Sequence, residues 1–317
     1  MDIIERISNI GIVPVIKIND VNDACGIAEA LIKGGLPVAE VTFRTACAKE
    51  AMQLINEKYP EMILGAGTVL TKEQVDDAIE AGAKFIVSPG FNGEIVDYCI
   101  SKNIPMVPGC QGPAEIEAAL SRGLTVVKFF PAENLGGLKM IKALAGPYVN
   151  VRFMPTGGIK PTNVNEYLAC DKIVACGGTW MIDQEAIKNH DYKRIEELTA
   201  GAVKTMLGMH VKHIGINCDS EYDETVADLS NLLNVEVRDT SKGCFVGDEF
   251  EIMKNSHMGT KGHIALGVNS VPRAYRYLKE KGYEFDEATM QYDDKNRLKF
   301  VYLTKEFSGF RIHLVNN

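Results

Sequence analysis

The sequence predicts an α/β protein with a (β/α)8 barrel over residues 1–208 and a second, α+β module over residues 209–317. The chain has 317 residues, which suits one barrel plus an extra module better than one small domain. In the first part, short apolar and β-branched runs alternate with longer segments of helical periodicity. After residue 208 this pattern ends, and two segments of similar order follow one another.

Eight segments have the composition of buried strands: 11–17, 37–44, 62–68, 84–88, 105–109, 125–130, 151–156 and 173–178. Helical segments lie between them. One begins at Asp20 and stops at Gly34 and Gly35, and another begins at Thr71, with Gln74 completing a capping box. Strands that alternate with helices pair in parallel through right-handed crossovers, so a closed barrel is favoured. An open doubly wound sheet is the alternative, although no GxGxxG motif follows the first strand.

Composition and charge argue against several classes of function for this protein. The apolar fraction is 46% and the formal charge is -8, which argues against a general affinity for nucleic acid or anionic membranes. None of the eight cysteines has CxxC spacing, so we expect reduced thiols in a cytoplasmic protein. No apolar run is long enough to span a membrane. We expect a small-molecule partner.

Lys128 stands in an almost wholly apolar strand segment, VVKFFPAE at 126–133. Alternate side chains of a barrel strand point inward, and an inward lysine loses hydration, which disfavours its ammonium form. A neutral amine can attack a ketone and form an imine. The alternative is a lysine that extends from a strand end into solvent.

Other chemistry-bearing residues follow the ends of the predicted strands, where barrel active sites lie. Glu40 and Arg44 are an even number of residues apart, so one extended strand would place them on one face. A buried carboxylate suits a general acid or base, and an arginine suits a substrate carboxylate. A purely structural pair between the two is the alternative. Two glycine pairs, at 157–158 and 177–178, fit a phosphate site after the last two strands.

Seven motifs occur in order along residues 1–205: EVTFRT (40–45), GAGTVL (65–70), SPG (88–90), VPG (107–109), KFFPAE (128–133), PTGGI (155–159) and GGTW (177–180). Together they resemble the 2-keto-3-deoxy-6-phosphogluconate (KDPG) aldolase / 4-hydroxy-2-oxoglutarate (KHG) aldolase family. The resemblance implies a TIM barrel of the class I aldolase type, usually trimeric, that works without a cofactor.

The resemblance also implies roles for individual residues. Lys128 would form the Schiff base and Glu40 would act as acid and base. Substrate-binding residues would be found along the rest of the pocket: Arg44, Thr68, Pro89, Thr156, Gly157, Gly158, Gly177, Gly178 and Thr179. Two positions depart from the family pattern, since Thr179 replaces a common serine and Gly112 replaces a frequent threonine. Both departures concern substrate preference more than reaction type.

The segment 190–208 is predicted to be a closing helix. Beyond it, HIGIN at 213–217 and HIALGV at 263–268 each precede a helix, and each half ends in a strand. This order resembles the vicinal-oxygen-chelate (glyoxalase/bleomycin-resistance) fold. The resemblance implies a divalent transition-metal site at His213, Glu251, His263 and His313. A fold without metal, used for packing or ligand sensing, is the alternative.

The sequence therefore predicts a cytoplasmic, homotrimeric Schiff-base aldolase that releases pyruvate. The second product is expected to be glyceraldehyde 3-phosphate or glyoxylate. Two further hypotheses concern the C-terminal module. The C-terminal module is either a metal-dependent lyase or isomerase in its own right, or a regulatory domain that senses a ligand. Side-chain identity alone does not choose among gluconate-derived, galactonate-derived and hydroxyglutarate substrates.

Overall fold

The computed structural model describes residues 2–218, 220–255 and 258–317. The chain divides into two compact units, Met1–Met206 and Leu207–Asn317. The predicted boundary after residue 208 lies next to this division, just beyond the end of a long helix, Tyr192–Leu207. Among the described residues, no helix is both long enough and apolar enough to cross a membrane.

The described part of the first unit contains eight strands, and a helix lies between each strand and the next. The strands are β1 (Ile12–Ile16), β2 (Val38–Thr42), β3 (Ile63–Gly67), β4 (Phe85–Val87), β5 (Met106–Val107), β6 (Val126–Phe129), β7 (Arg152–Pro155) and β8 (Cys176–Gly178). Every residue of these strands except Arg152 is buried, as expected for strands covered on both faces. The eighth predicted strand began at residue 173, but Ile173 makes only an isolated bridge, so β8 is shorter than predicted.

All strand pairs of this unit are parallel. Six strands form one sheet in the order β5-β4-β3-β2-β1-β8, and β6 pairs with β7. Isolated parallel bridges join Gly109 to Lys128 and Thr156 to Gly177, and so connect the pair to both edges of the larger sheet. The sheet is therefore curled, with its first strand beside its last.

Ten helices accompany these strands in the described part of the first unit: α1 (Ile3–Ile10), α2 (Ala24–Gly34), α3 (Ala48–Lys58), α4 (Lys72–Glu80), α5 (Gly93–Ser101), α6 (Pro113–Leu120), α7 (Gly137–Ala145), α8 (Val164–Leu168), α9 (Gln184–Lys188) and α10 (Tyr192–Leu207). Their starts follow local chemistry. Thr71 caps α4 by accepting a hydrogen bond from the backbone of Gln74, whose side chain in turn accepts from the backbone of Leu70. Asp20 caps a short 3-10 turn before α2.

The second unit has one mixed sheet and two helices among its described residues. Its elements are β9 (His210–Asn217), α11 (Tyr222–Leu233), β10 (Val237–Asp239), β11 (Gly243–Val246), β12 (Phe250–Met253), β13 (Gly262–Val268), α12 (Val271–Glu280), β14 (Phe285–Tyr292), β15 (Leu298–Phe307) and β16 (Phe310–Asn316). The sheet order is β10-β11-β12-β9-β13-β16-β15-β14. The antiparallel pair β9 and β13 lies at its centre, and each of these strands pairs in parallel with the last strand of its own half.

Candidate active site

Lys128 and Glu40 meet inside the curled sheet. Lys128 lies on β6 with its side chain 7% exposed, and Glu40 lies on β2 with its side chain 1% exposed. The Lys128 Nζ donates to both carboxylate oxygens of Glu40, at 2.9 Å and 3.2 Å. A buried ion pair keeps each group desolvated while it offers the ammonium proton a direct acceptor. Transfer of that proton to Glu40 would leave a neutral, nucleophilic amine.

A pocket of about 340 Å³ opens around this pair. All the predicted catalytic and substrate-binding residues line it: Glu40, Arg44, Thr68, Pro89, Lys128, Thr156, Gly157, Gly158, Gly177, Gly178 and Thr179. They come from segments far apart in the sequence, since the parallel strands end at the same side of the sheet. The structure thus gathers these residues into one site.

Arg44 lies in the turn after β2 and not, as had been predicted, within the strand. Strand β2 ends at Thr42, and the backbone N–H of Arg44 donates to the carbonyl of Thr42 at 2.8 Å, which closes a tight turn. Arg44 therefore follows the strand and does not share its alternation with Glu40. Thr68, directly after β3, has a φ of 58°. A β-branched residue rarely adopts this left-handed backbone, and such strained residues cluster at functional sites.

Two glycine pairs and two threonines also line the pocket: Gly157 and Gly158, Gly177 and Gly178, Thr156 and Thr179. Gly157 and Gly158 have φ values of 96° and 83°, which only glycine adopts readily. A Cβ atom on Gly177 would lie 2.2 Å from the Thr156 Oγ1. The bare backbone at 177 therefore makes room for the Thr156 hydroxyl, which is buried and has no hydrogen-bond partner among the residues that the structure describes. Such a hydroxyl is free to bind a ligand.

Four lining residues were not predicted: Val15, Thr42, Phe130 and Ile159. Two of them carried a signal, because Thr42 is two residues from Glu40 and Phe130 is two residues from Lys128. The Lys128 Nζ lies 5.5 Å from the centre of the Phe130 ring. Val15 is paired in register with Glu40 across β1 and β2, which no single segment reveals. The departure at Gly112 lies at the start of α6, where Glu115 accepts a hydrogen bond from the Gly112 backbone.

A second cluster lies in the C-terminal unit and consists of the four predicted metal ligands. One ring nitrogen of each of His213, His263 and His313 lies within 4.8 Å of the others. The Nε2 atoms of His213 and His263 are 3.2 Å apart. The Glu251 Oε2 lies 3.1 Å from the His263 Nε2 and 3.5 Å from the His213 Nε2.

The electrostatics of this cluster favour neutral imidazoles at His213 and His313 and an ionised carboxylate at Glu251. Burial lowers the pKa of His313 to about 3, with a further contribution from the neighbouring His263. Burial also lowers the pKa of His213. The pKa of Glu251 is held below its usual value, first by its hydrogen bond with His263. These are the protonation states in which histidine and glutamate bind metal ions.

Comparison with known proteins finds relatives of the first unit among aldolases. A family model described as KDPG and KHG aldolase matches residues 3–198. The 2-dehydro-3-deoxy-phosphogluconate aldolase of Treponema pallidum (strain Nichols) is 47% identical over 197 residues, covering 62% of this chain and 94% of that protein. The KHG/KDPG aldolase of Escherichia coli (strain K12) is 42% identical over 193 residues, and the alignment covers 61% of this chain and 91% of that protein.

A solved structure is similar over the same region. The KDPG aldolase of Legionella pneumophila, with pyruvate captured at low pH as a covalent carbinolamine intermediate, aligns with a TM-score of 0.61 at 40% identity. The alignment covers 63% of this chain and 97% of that chain. The family match ends at residue 198, so the C-terminal unit lies outside it.

Proposed function

Because the chain belongs to the KDPG and KHG aldolase family, we infer that it is a class I aldolase that cleaves a 2-keto acid to pyruvate and an aldehyde. The buried contact between the Lys128 Nζ and the Glu40 carboxylate, at 2.9 Å, is the observation that carries this conclusion. We interpret the curled parallel sheet as a closed eight-stranded barrel, because its first and last strands pair and bridges link the remaining edges.

The reaction begins at the substrate's 2-keto carbon. Glu40 takes a proton from the Lys128 ammonium, and the neutral amine attacks the carbonyl. Glu40 then returns a proton to the carbinolamine hydroxyl, which leaves as water and gives the protonated imine. The bond between the third and fourth carbons breaks, and its electron pair moves into the imine to form an enamine.

The aldehyde forms as the 4-hydroxyl gives its proton to Glu40, directly or through water. Protonation of the enamine at the third carbon restores an imine, and water then releases pyruvate and the free Lys128. The imine supplies the electron sink, so this reaction requires no metal or organic cofactor. Arg44 and Thr68 hold the carboxylate end of the substrate, because a guanidinium offers a carboxylate two parallel donors.

The distal end of the pocket binds the remainder of the substrate. We assign Thr156, Thr179 and the two glycine pairs to this end, because they line the pocket and offer hydroxyl groups and approachable backbone amides to a phosphate. Threonine at residue 179 keeps the hydroxyl group of the common serine and adds a methyl group. We therefore propose that the chain prefers the phosphorylated substrate 2-keto-3-deoxy-6-phosphogluconate and also cleaves 4-hydroxy-2-oxoglutarate.

The assignment is tested by comparing retro-aldol rates on the gluconate-derived, the galactonate-derived and the hydroxyglutarate substrate, with pyruvate release as the common measurement. The expected order has the gluconate-derived compound first. Release of pyruvate from none of the three would contradict the proposed activity.

Thr156→Val is expected to weaken cleavage of the phosphorylated substrate while leaving the chemistry at Lys128 intact. Valine keeps the shape of threonine but removes the buried hydroxyl that has no partner within the described protein. A lost hydrogen bond to a charged group corresponds to about a tenfold or greater decrease in kcat/KM. Steady-state kinetics measure this decrease, and the rate of pyruvate imine formation serves as the internal control. An equal decrease in both rates would contradict a distal role for Thr156.

A second function is proposed for the C-terminal unit. Its elements follow the order strand, helix and three strands twice, and we interpret this as a duplicated βαβββ fold of the vicinal-oxygen-chelate type. Ligand atoms bound about 2.0–2.1 Å from a tetrahedral zinc ion lie about 3.3–3.4 Å apart. The separations of 3.1, 3.2 and 3.5 Å among Glu251, His213 and His263 are close to this spacing.

We propose that His213, Glu251, His263 and His313 hold a divalent transition-metal ion, for which three imidazoles and one carboxylate are suitable donors. Such an ion would supply a Lewis acid to a bound oxygen ligand. The unit would then act as a lyase or isomerase, or as a metal-dependent ligand sensor for the chain. A chelator applied to the full chain removes the metal alone, so it separates either of these metal-dependent roles from aldol cleavage.

The full-length protein is expected to bind one equivalent of zinc or cobalt in its C-terminal unit. His263→Ala should lower the affinity by more than roughly 100-fold, since loss of a ligand exceeds the effect of outer contacts. His210→Ala is the matched control, because His210 is an exposed histidine on the same sheet whose ring contacts the carbonyl of Gly208. Metal titration followed by elemental analysis makes the measurement. Equal metal binding by both variants would exclude the proposed site, and a chelator should leave aldol cleavage unchanged.

Homotrimeric assembly and a cytoplasmic location remain proposals that follow from the family. Sedimentation equilibrium of the full chain measures the assembly, and a mass of three chains is expected. The family relationship concerns the first unit alone.

A further inference from the structure

Gly67 is the last residue of β3 and lies beside the catalytic pair. It is paired in register with Thr42 of β2, and Gly65, two residues earlier, is paired with Glu40. Gly65 and Gly67 face the same side of the sheet as Glu40, because side chains alternate along strands and paired residues share a face. Strand β3 thus presents two positions without side chains toward the interior of the curled sheet.

The space above Gly67 is occupied by the carboxylate of Glu40. A Cβ atom at residue 67 would lie 2.2 Å from the Glu40 Oε1, 2.6 Å from its Cγ and 2.7 Å from its Cδ. These are distances that real Cβ atoms do not show, and the same Oε1 is the oxygen that lies 2.9 Å from the Lys128 Nζ. By contrast, a Cβ on Gly65 would meet the ring of Phe85.

The requirement for glycine at residue 67 is one of space. Gly67 does not have the positive φ seen at Gly157 and Gly158, so its backbone is open to alanine without strain of its own. The three nearest heavy atoms all belong to the Glu40 side chain, and Glu40 takes part in the proposed chemistry. An added methyl group would therefore act on the reaction through Glu40.

We propose that Gly67 is a positioning residue of the aldolase reaction. The absent side chain at residue 67 allows the Glu40 carboxylate to lie across the end of β3 and reach the Lys128 amine. This inference rests on the proposed function of Glu40 and Lys128. A methyl group at residue 67 displaces the carboxylate, and a displacement of about 1 Å in a catalytic group lowers rates by about 100-fold.

A double-mutant cycle tests the proposal on the full-length protein. Gly67→Ala should lower the rate of imine formation with pyruvate, measured by cyanoborohydride trapping, by about 100-fold. In the Glu40→Ala background the added methyl group has free space, so the further decrease should be less than about twofold. Gly201→Ala is the control for a glycine replacement in the same unit, since a Cβ there meets nothing within 4 Å.

The outcomes are separable from failure of the aldolase assignment itself. If the wild-type protein forms no trapped adduct, the proposed function fails, whatever residue 67 does. If the wild type reacts and Gly67→Ala reacts equally fast, the positioning role is overturned. It is also overturned if the methyl group lowers the rate of imine formation by the same factor with and without the Glu40 side chain. Thermal unfolding adds a further check, because the added methyl group should lower the melting temperature less in the Glu40→Ala background than in the wild type; an equal decrease in both backgrounds contradicts the proposal.

Discussion

Replacing Lys128 with methionine is expected to abolish pyruvate release from every 2-keto acid substrate, with turnover reduced by roughly 10⁴-fold or more. Methionine preserves an unbranched side chain in a strand where all four residues are buried, but it has no amine to attack the carbonyl. The reaction then loses its covalent intermediate, because no other group of the pocket can form an imine with the substrate. Steady-state release of pyruvate is the measurement.

Lys128→Ala should give the same loss of turnover with a larger loss of stability, since both variants leave the buried Glu40 carboxylate unpaired but only alanine also creates a cavity. Lys139→Ala is the control for removal of a lysine, because Lys139 is exposed on α7. If Lys128→Met kept turnover within tenfold of the wild type, the Schiff-base mechanism would be refuted.

Glu40→Gln is expected to give the second-largest effect, a decrease of about 10²–10⁴-fold in kcat. Glutamine fills the same volume and can still accept a hydrogen bond from the Lys128 Nζ, but it cannot take up the ammonium proton. Both formation of the imine and cleavage of the carbon–carbon bond should slow, because Glu40 serves in each step. Single-turnover experiments resolve the two steps.

Glu57→Gln provides the control for the same substitution at an exposed position on α3, and it should retain wild-type rates. An account in which Glu40 only neutralises a buried charge predicts a loss of thermal stability with little loss of kcat. Normal imine formation in Glu40→Gln would therefore contradict its role in proton transfer.

The sequence was informative about this site because its chemistry uses polar residues in apolar surroundings. Lys128 and Glu40 each interrupt a buried strand, and burying a charge is unfavourable unless it is paired. The strand order and the contact between these two residues were not visible in either segment. They depend on the curling of the sheet, which places β6 and β2 opposite one another.

Two of the residues that sequence analysis missed lack such a signature. Val15 and Ile159 line the pocket through apolar atoms, which have the same composition as any core position. Arg44 was placed correctly at a strand end, but the tight turn that carries it was not predicted, because its hydrogen bond joins two backbone groups and involves no particular side chain. Turn geometry of this kind depends on the neighbouring strand.

In the C-terminal unit, the repeated pattern predicted the order of elements, and the resemblance to the vicinal-oxygen-chelate fold implied the four candidate ligands. Their convergence depends on register: His213 is opposite Ala265, and His263 is opposite Gly215. A Cβ on Gly215 would lie 2.0 Å from the His263 ring, so a small residue at this position is needed for the cluster to form. Register and close approach are properties of the folded sheet and were beyond the sequence pattern.

Borohydride reduction of the full-length protein in the presence of pyruvate, followed by peptide mass mapping, tests the central claim most directly. The account predicts a single stable adduct with the mass of a reduced pyruvate imine, located on the peptide that contains Lys128. An adduct on a different lysine, or an unmodified protein that still cleaves the substrate, would contradict it.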